Sequence, residues 1–67
     1  MSVVKIIEIL AESPDSWEAA TQVAVTEASK TVKNIKSAYV QDMKAFVENG
    51  KIVRYRVNAK IAFVVNE

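Results

Sequence analysis

The chain has 67 residues, nine of them basic and eight acidic, with a single glycine, a single proline, and neither cysteine nor histidine. This composition excludes disulfides, thiolate chemistry and the commonest general base, and a formal net charge of +1 argues against binding nucleic acid mainly through phosphates. The length is near the lower limit for one hydrophobic core, so we expect a single domain over residues 1–67 that gains burial from partners.

The first predicted element is a strand over residues 3–10. This segment is rich in β-branched residues and is interrupted only by Lys5 and Glu8. Such a run is typical of a strand that is partly buried on both faces.

A helix is predicted from about Ser16 to about Lys33. Its start is signalled by Ser13-Pro14-Asp15-Ser16, where either Asp15 in a capping box with Glu18 or Ser13 followed by Pro14 fits the usual pattern. Asn34 is the predicted stop. The apolar stripe is rich in alanine, so the helix is expected to lie close to a sheet: Trp17, Ala20, Ala24, Ala28, Thr31 or Val32, and Ile35.

A long β-hairpin is predicted after the helix, with its turn at Glu48-Asn49-Gly50-Lys51. A two-residue turn places Glu48 opposite Lys51, and it pairs Met43 with Arg56, Gln41 with Asn58 and Tyr39 with Lys60. It also puts Asp42 and Lys44 on the core side, which predicts a β-bulge or a strand bend nearby. One face then carries Ser37, Tyr39, Gln41, Met43, Arg54, Arg56, Asn58 and Lys60.

The order of these elements predicts an α+β fold, β-α-β-β, in which a three-stranded antiparallel sheet wraps on one helix. A helix of roughly 18 residues is about 27 Å long and covers only one side of such a sheet. The opposite face would be exposed in a monomer, so we expect it to be buried against identical copies, which would also protect the strand edges.

Three segments of the chain carry a family resemblance: Ser13-Pro14-Asp15-Ser16-Trp17-Glu18, Ala28-Ser29-Lys30-Thr31-Val32-Lys33-Asn34-Ile35 and Asn49-Gly50-Lys51-Ile52-Val53-Arg54-Tyr55-Arg56-Val57. Together with the short length and the β-α-β-β order they resemble the dodecins, and the resemblance covers nearly the whole chain. It implies a hollow dodecamer of four trimers with flavin bound between subunits, where paired flavins stack between tryptophans and a glutamine contacts the isoalloxazine edge.

The chain departs from the dodecin pattern at both flavin-contacting positions. An ungapped match puts the stacking tryptophan at Ser37 and the glutamine at Arg56. Each lost ring contact is worth about 1 kcal/mol or more. Arg56 can hold a phosphate, which favours a flavin nucleotide such as FMN over riboflavin. The candidate flavin-binding positions are therefore Ser37, Arg56 and Arg54.

The same substitutions resemble a dodecin-like subgroup that lacks the tryptophan and is described as calcium-binding. Gln41-Asp42-Met43 and Lys51-Ile52-Val53-Arg54-Tyr55-Arg56 carry this similarity. No loop has the regular acidic spacing of an EF-hand, so a calcium site would be assembled across subunits from scattered carboxylates. The sequence does not choose among candidates such as Glu8, Asp42 and Glu48.

The remaining conspicuous side chains have structural explanations. Trp17 is expected to pack or to contact a subunit, and Tyr39 and Tyr55 are expected to pack with their hydroxyls on polar atoms. Phe46 and Phe63 are predicted to be core residues. The row of Arg54, Arg56 and Lys60 fits a phosphate site about as well as it fits a solvated face or a set of intersubunit salt bridges.

Three classes of function follow from these observations. The first expectation is a non-enzymatic, cytoplasmic homododecamer that stores a small ligand, with flavin (FMN or riboflavin) as the expected cofactor. The alternative is a shell that binds calcium or has a structural role. Catalysis ranks last, because no nucleophile and base can be paired. A nucleic acid is not an expected partner because the net charge is small. A membrane is not an expected partner because no apolar run is long enough to span a bilayer.

Overall fold

The computed structural model describes residues 2–65 and has the β-α-β-β order predicted from the sequence. Strand β1 covers Val4–Ser13, helix α1 covers Trp17–Ser29, and strands β2 and β3 cover Ile35–Glu48 and Lys51–Val64. The molecule is elongated, 52 × 19 × 13 Å, because the β2–β3 hairpin is longer than the helix that covers it. No helix in this part of the chain is long and apolar enough to cross a membrane.

The three strands form one antiparallel sheet in the order β1-β3-β2, so β3 is central and both other strands are edges. Helix α1 lies on one face of this sheet. Its alanine stripe is fully buried, as predicted, against the odd-numbered side chains of β3. Small alanine side chains let the helix backbone approach the strands closely. The buried core consists of Ala11, Ala20, Ala24, Ala28, Val57, Ala59 and Ile61.

The helix begins differently from either predicted cap. Ser16 is the N-cap, and its Oγ accepts a hydrogen bond from the Ala19 N–H at 2.9 Å. Ser13 is instead buried at the end of β1, where its Oγ accepts from the Asp15 N–H. Strand β1 therefore continues three residues beyond the predicted end at Leu10.

The helix also ends earlier than predicted, at Ser29 rather than near Lys33. The N–H groups of Thr31 and Val32 both donate to the Ala28 carbonyl, which closes the last turn tightly. Asn34 has a positive φ of 62° and turns the chain into β2. It therefore comes directly before the strand and is not the residue at which the helix ends. Val32 still packs against the core from outside the helix, which explains why its spacing fitted the apolar stripe.

The hairpin register matches the prediction at two pairs and differs at the pairs that lie between these two along the strands. Glu48 is opposite Lys51 and Tyr39 is opposite Lys60, as expected. Register shifts between Phe46 and Val47 and between Val40 and Asp42 move the intervening residues by one. These irregularities confirm the predicted bulge.

The bulges change which side chains share the face opposite the helix. Asp42 is opposite Asn58 and Lys44 is opposite Arg56, so the predicted pairs of Asn58 with Gln41 and Arg56 with Met43 are wrong. A shift of one residue reverses the direction of every side chain in the shifted segment. Two charged side chains, Asp42 and Lys44, are thereby removed from the core side.

Replacing Ser16 with alanine is expected to lower the free energy of unfolding by about 1 kcal/mol, because the Ala19 N–H loses its acceptor at the helix start. Asp15→Ala is the matched control, since the predicted Asp15 capping box is not the cap used. Urea denaturation monitored by circular dichroism compares the two variants. An equal loss for both would contradict the assignment of Ser16 as the cap.

Candidate functional site

The sheet face opposite α1 is built from cross-strand rows, each with one residue from β1, β3 and β2. The pairings define four consecutive rows along the strands, each with its β3 residue in the middle: Glu12, Arg56 and Lys44; Leu10, Asn58 and Asp42; Glu8, Lys60 and Tyr39; Ile6, Ala62 and Ser37. Large apolar side chains are exposed on this face. Leu10 and Tyr39 are 64% and 65% accessible to solvent.

A charged cluster occupies the first row. Glu12 Oε2 accepts a hydrogen bond from Arg56 Nε at 2.7 Å and also contacts Arg56 Nη2. Glu12 Oε1 lies 2.9 Å from Arg54 Nε in an ion pair that lacks hydrogen-bond alignment. One carboxylate therefore holds two guanidinium groups side by side, with about a third of its side chain accessible to solvent.

The cations of this cluster surround Phe46. The guanidinium carbons of Arg54 and Arg56 lie 4.3 and 4.7 Å from the centre of the Phe46 ring, and Lys44 Nζ lies 5.7 Å from it. These are cation–π distances. The prediction that Phe46 is a core residue is wrong: its ring is half-buried and supports the basic cluster. Phe63 is also only half-buried.

A shallow depression of about 360 Å³ lies beside this cluster. Its lining consists of the second row, Leu10, Asn58 and Asp42, together with Lys44 and Arg56 of the first row and Met43. Asn58 Oδ1 is buried and accepts no hydrogen bond from the described part of the chain. A buried carbonyl oxygen without a donor is costly, because it has lost its water contacts.

The structure places some of the candidate binding residues next to each other and others far apart. Arg54 and Arg56 lie together on Glu12. Ser37 is exposed and faces Ala62, which is about 20 Å along β3 from Arg56. A flavin cannot contact both Ser37 and Arg56 of the same chain, so these two positions form one site only if they come from different copies.

Trp17 supports the site from the helix side. Its ring packs edge-on against Tyr55 with centroids 4.9 Å apart, and its Nε1 donates to the Lys44 carbonyl at 3.2 Å. This confirms the predicted packing role of Trp17. The hydrogen bond ties the start of α1 to edge strand β2, next to the residues that line the depression.

Two residues of the site were not singled out from the sequence. Glu12 lies two residues beyond the predicted end of the first strand at Leu10, and its importance depends on β1 pairing with β3, which places it directly opposite Arg56. Asn58 was one of several polar residues on an alternating strand. The signal that identifies it is its pairing with Asp42, which depends on the register shift between Phe46 and Val47.

No group of three acidic side chains converges within residues 2–65. Asp42 is the carboxylate that lines the depression, and Lys44 and Arg56 place two positive charges in the same lining. Calcium takes six to eight oxygen ligands. The described residues of one chain therefore do not fit a calcium site by themselves, and such a site would need oxygen ligands from another copy.

The fold and the sequence together define the class of this protein: the Dodecin family model matches residues 3–66, and the chain belongs to the dodecin family. It is similar to the calcium dodecin of Mycobacterium tuberculosis (strain ATCC 25618 / H37Rv), with 36% identity over 63 residues that cover 94% of this chain and 89% of the relative.

Solved structures agree with this assignment. The structure of dodecin from Streptomyces coelicolor matches with a TM-score of 0.90 and 27% identity, covering 98% of this chain and 94% of the other. A crystal structure described as the calcium-chelating immunodominant antigen calcium dodecin of Mycobacterium tuberculosis, with a novel calcium-binding site, matches with a TM-score of 0.81 and 38% identity. It covers 97% of this chain and 93% of that one.

Proposed function

We propose that this chain is a non-enzymatic dodecin that assembles into a closed shell of twelve copies in the cytoplasm and binds calcium. The observation that carries the choice of calcium is the 36% identity, over 94% of the chain, to a protein named calcium dodecin. Composition supports a binding role, since a chain without histidine or cysteine lacks the usual nucleophile and base pairs.

Assembly is supported by the apolar sheet face and the strand edges that a single chain leaves exposed. Helix α1 has 13 residues and packs on one face of the sheet. The opposite face exposes Ile6, Leu10 and Tyr39, and both edge strands are open to pairing. Further copies of the same chain would bury this face and remove the edges by closed symmetry.

Calcium is favoured over a stacked flavin by the side chains at the flavin-contacting positions. Ser37 offers no ring on which an isoalloxazine can stack, and Arg56 is held by Glu12. The aromatic sandwich that the dodecin resemblance implies is therefore missing from this sequence. Much of the affinity for a neutral flavin such as riboflavin is lost with it.

A flavin nucleotide is the second candidate, and the basic cluster favours it. Lys44, Arg54 and Arg56 surround Phe46, and among the described residues Glu12 is the carboxylate that pairs with the two arginines, so the cluster carries excess positive charge. The phosphate of FMN would be attracted to it, and the adjacent 360 Å³ depression is of a size that holds small organic ligands.

Native mass spectrometry of protein purified without added ligand tests the proposal. We expect a dodecamer with calcium ions and no flavin-sized mass increments. Thermal unfolding provides a second measurement: calcium in excess should raise the melting temperature by several degrees relative to a chelator, because an ion that binds only the folded state stabilises it.

Each part of the proposal is contradicted by a different result. A monomer in the native mass spectrum would contradict the proposed shell of twelve copies. An unchanged melting temperature in chelator, together with a metal-free spectrum, would overturn calcium binding. Retained FMN would favour the second candidate. Magnesium serves as the control ion, because a site built for calcium's larger, flexible coordination sphere should respond less to it.

A further inference from the structure

We infer that two copies of the chain meet across a twofold axis at which Asp42 of each copy forms an ion pair with Lys44 of the other. This inference rests on the assembly that is part of the proposed function, and it names the residues and the symmetry of one subunit contact. Asp42 and Lys44 are both exposed, and both line the depression. They are two positions apart on β2, so their side chains leave the same face of the sheet.

Asp42 has no cation as its neighbour across the strands. The other strand carboxylates, Glu8, Glu12 and Glu48, are each directly opposite a basic residue. Asp42 is instead opposite the amide of Asn58. Within the part of the chain that the structure describes, its side chain forms no ion pair and no hydrogen bond. The negative charge of Asp42 is therefore uncompensated in a single copy.

Lys44 has the opposite deficit. Its cross-strand neighbour is Arg56, and like charges directly opposite each other destabilise a strand pair. The nearby Glu12 carboxylate is already engaged by the guanidinium groups of Arg54 and Arg56. Lys44 Nζ lies 5.7 Å from the centre of the Phe46 ring and pairs with no carboxylate among the described residues. Lys44 thus lacks a negative partner.

A second copy supplies both missing charges with one symmetry operation. In a contact across a twofold axis the same patch serves on both subunits, so one acid–base pair is always made twice. Opposite charges that meet in this way fix the orientation and register of an interface. The contact would also cover Leu10 and Met43, which line the depression and are 64% and 62% exposed. A partner of another kind would need an acid and a base at matching spacing, whereas a second copy has them by identity.

Charge reversal at each position tests the contact. Asp42→Lys alone or Lys44→Asp alone replaces two attractive pairs at each twofold axis with two repulsive ones. The subunit concentration at which half of the assembly dissociates should therefore rise at least about 10-fold. Sedimentation velocity over a dilution series measures this concentration. Glu27→Lys is the matched control, because it reverses an exposed carboxylate on α1, and it should shift the concentration by no more than about 2-fold.

Mixing the two single variants distinguishes a contact between copies from an interaction within one chain. The Asp42→Lys copy is positive at both positions and the Lys44→Asp copy is negative at both, so a contact between one copy of each restores two ion pairs. We expect the equimolar mixture to assemble at the wild-type concentration, with equal numbers of the two variants in native mass spectra. An ion pair within one chain could not be restored by mixing.

The double variant, Asp42→Lys with Lys44→Asp, keeps the test decisive if circular dichroism shows that a single variant does not fold. It exchanges the charges within each copy, so the reciprocal pairs re-form and it should assemble as the wild type does. A double variant that stays dissociated would overturn the inference, as would single variants that assemble normally. If the wild-type protein is a monomer, the proposed assembly and this inference both fail. If it assembles but the folded single variants do not complement each other, the inference fails and the assembly stands.

Discussion

Replacing Glu12 with glutamine is expected to lower the free energy of unfolding by about 2 kcal/mol. The carboxylate hydrogen-bonds Arg56 Nε at 2.7 Å and lies 2.9 Å from Arg54 Nε, so its loss leaves two neighbouring cations without a counter-charge. The expected cost lies between that of an exposed pair and that of a fully buried one, because about a third of each partner is accessible.

Glu27→Gln is the matched control for this experiment. Glu27 pairs with Lys30 at 3.0 Å, but both side chains are 64% exposed, so its removal should cost no more than about 0.5 kcal/mol. Chemical denaturation at low and at high salt measures both variants. If the Glu12 and Glu27 variants lose equal stability, the cluster has no structural importance beyond that of a surface ion pair.

Glu12→Gln should also change what the cluster binds. The Glu12 carboxylate occupies the position between Arg54 and Arg56 where a phosphate or carboxylate of a ligand would otherwise lie. We therefore expect the variant to gain affinity for inorganic phosphate and FMN. Flavin fluorescence titration measures this gain, and an unchanged affinity would mean that the arginines do not reach an external anion.

The elements that could be predicted from the sequence are those specified by local chemistry. The Asn49-Gly50 turn fixes Glu48 opposite Lys51 because both central residues take positive φ angles, 52° and 75°. The alanine spacing identifies the buried stripe of α1 because helical periodicity and burial coincide there. Each of these features depends only on residues close together in the chain.

The features that could not be predicted depend on contacts between distant segments. Gln41 and Met43 alternate correctly for the polar face, but the shift between Phe46 and Val47 replaces them there with Asp42 and Lys44 until the shift after Val40 restores the register. The sequence indicated that a bulge was needed but not where it lies. The bulge nevertheless decides that Asp42, and not Gln41, is opposite Asn58 and lines the depression.

The cluster around Phe46 was missed for a related reason. An aromatic residue between Ala45 and Val47 is usually a core residue, and neither neighbour indicates otherwise. Its environment becomes clear only when β3 brings Arg54 opposite Phe46 and β1 brings Glu12 opposite Arg56. Sheet order is thus the missing information, because it brings residues from three strands into one site.

Restoring the two flavin-contacting residues is expected to raise flavin affinity about 30-fold or more. Ser37→Trp supplies a stacking ring on each side of a flavin pair, at about 1 kcal/mol or more for each contact, and Arg56→Gln supplies the amide for the isoalloxazine edge. Titration of riboflavin with the double variant, followed by fluorescence quenching, measures the gain. Riboflavin has no phosphate, so the basic cluster does not complicate the result.

The controls for this variant test the assembly as well as the site. Tyr39→Trp adds a tryptophan to the same sheet face in the neighbouring row and should not produce the gain.

Because Ser37 and Arg56 are about 20 Å apart within one chain, the double variant can form a flavin site only where different copies meet. Protein dissociated to monomers should therefore bind riboflavin no better than wild type. An equal gain in the monomer would refute the intersubunit site, and no gain in an intact assembly would show that positions 37 and 56 do not form the flavin pocket of this dodecin.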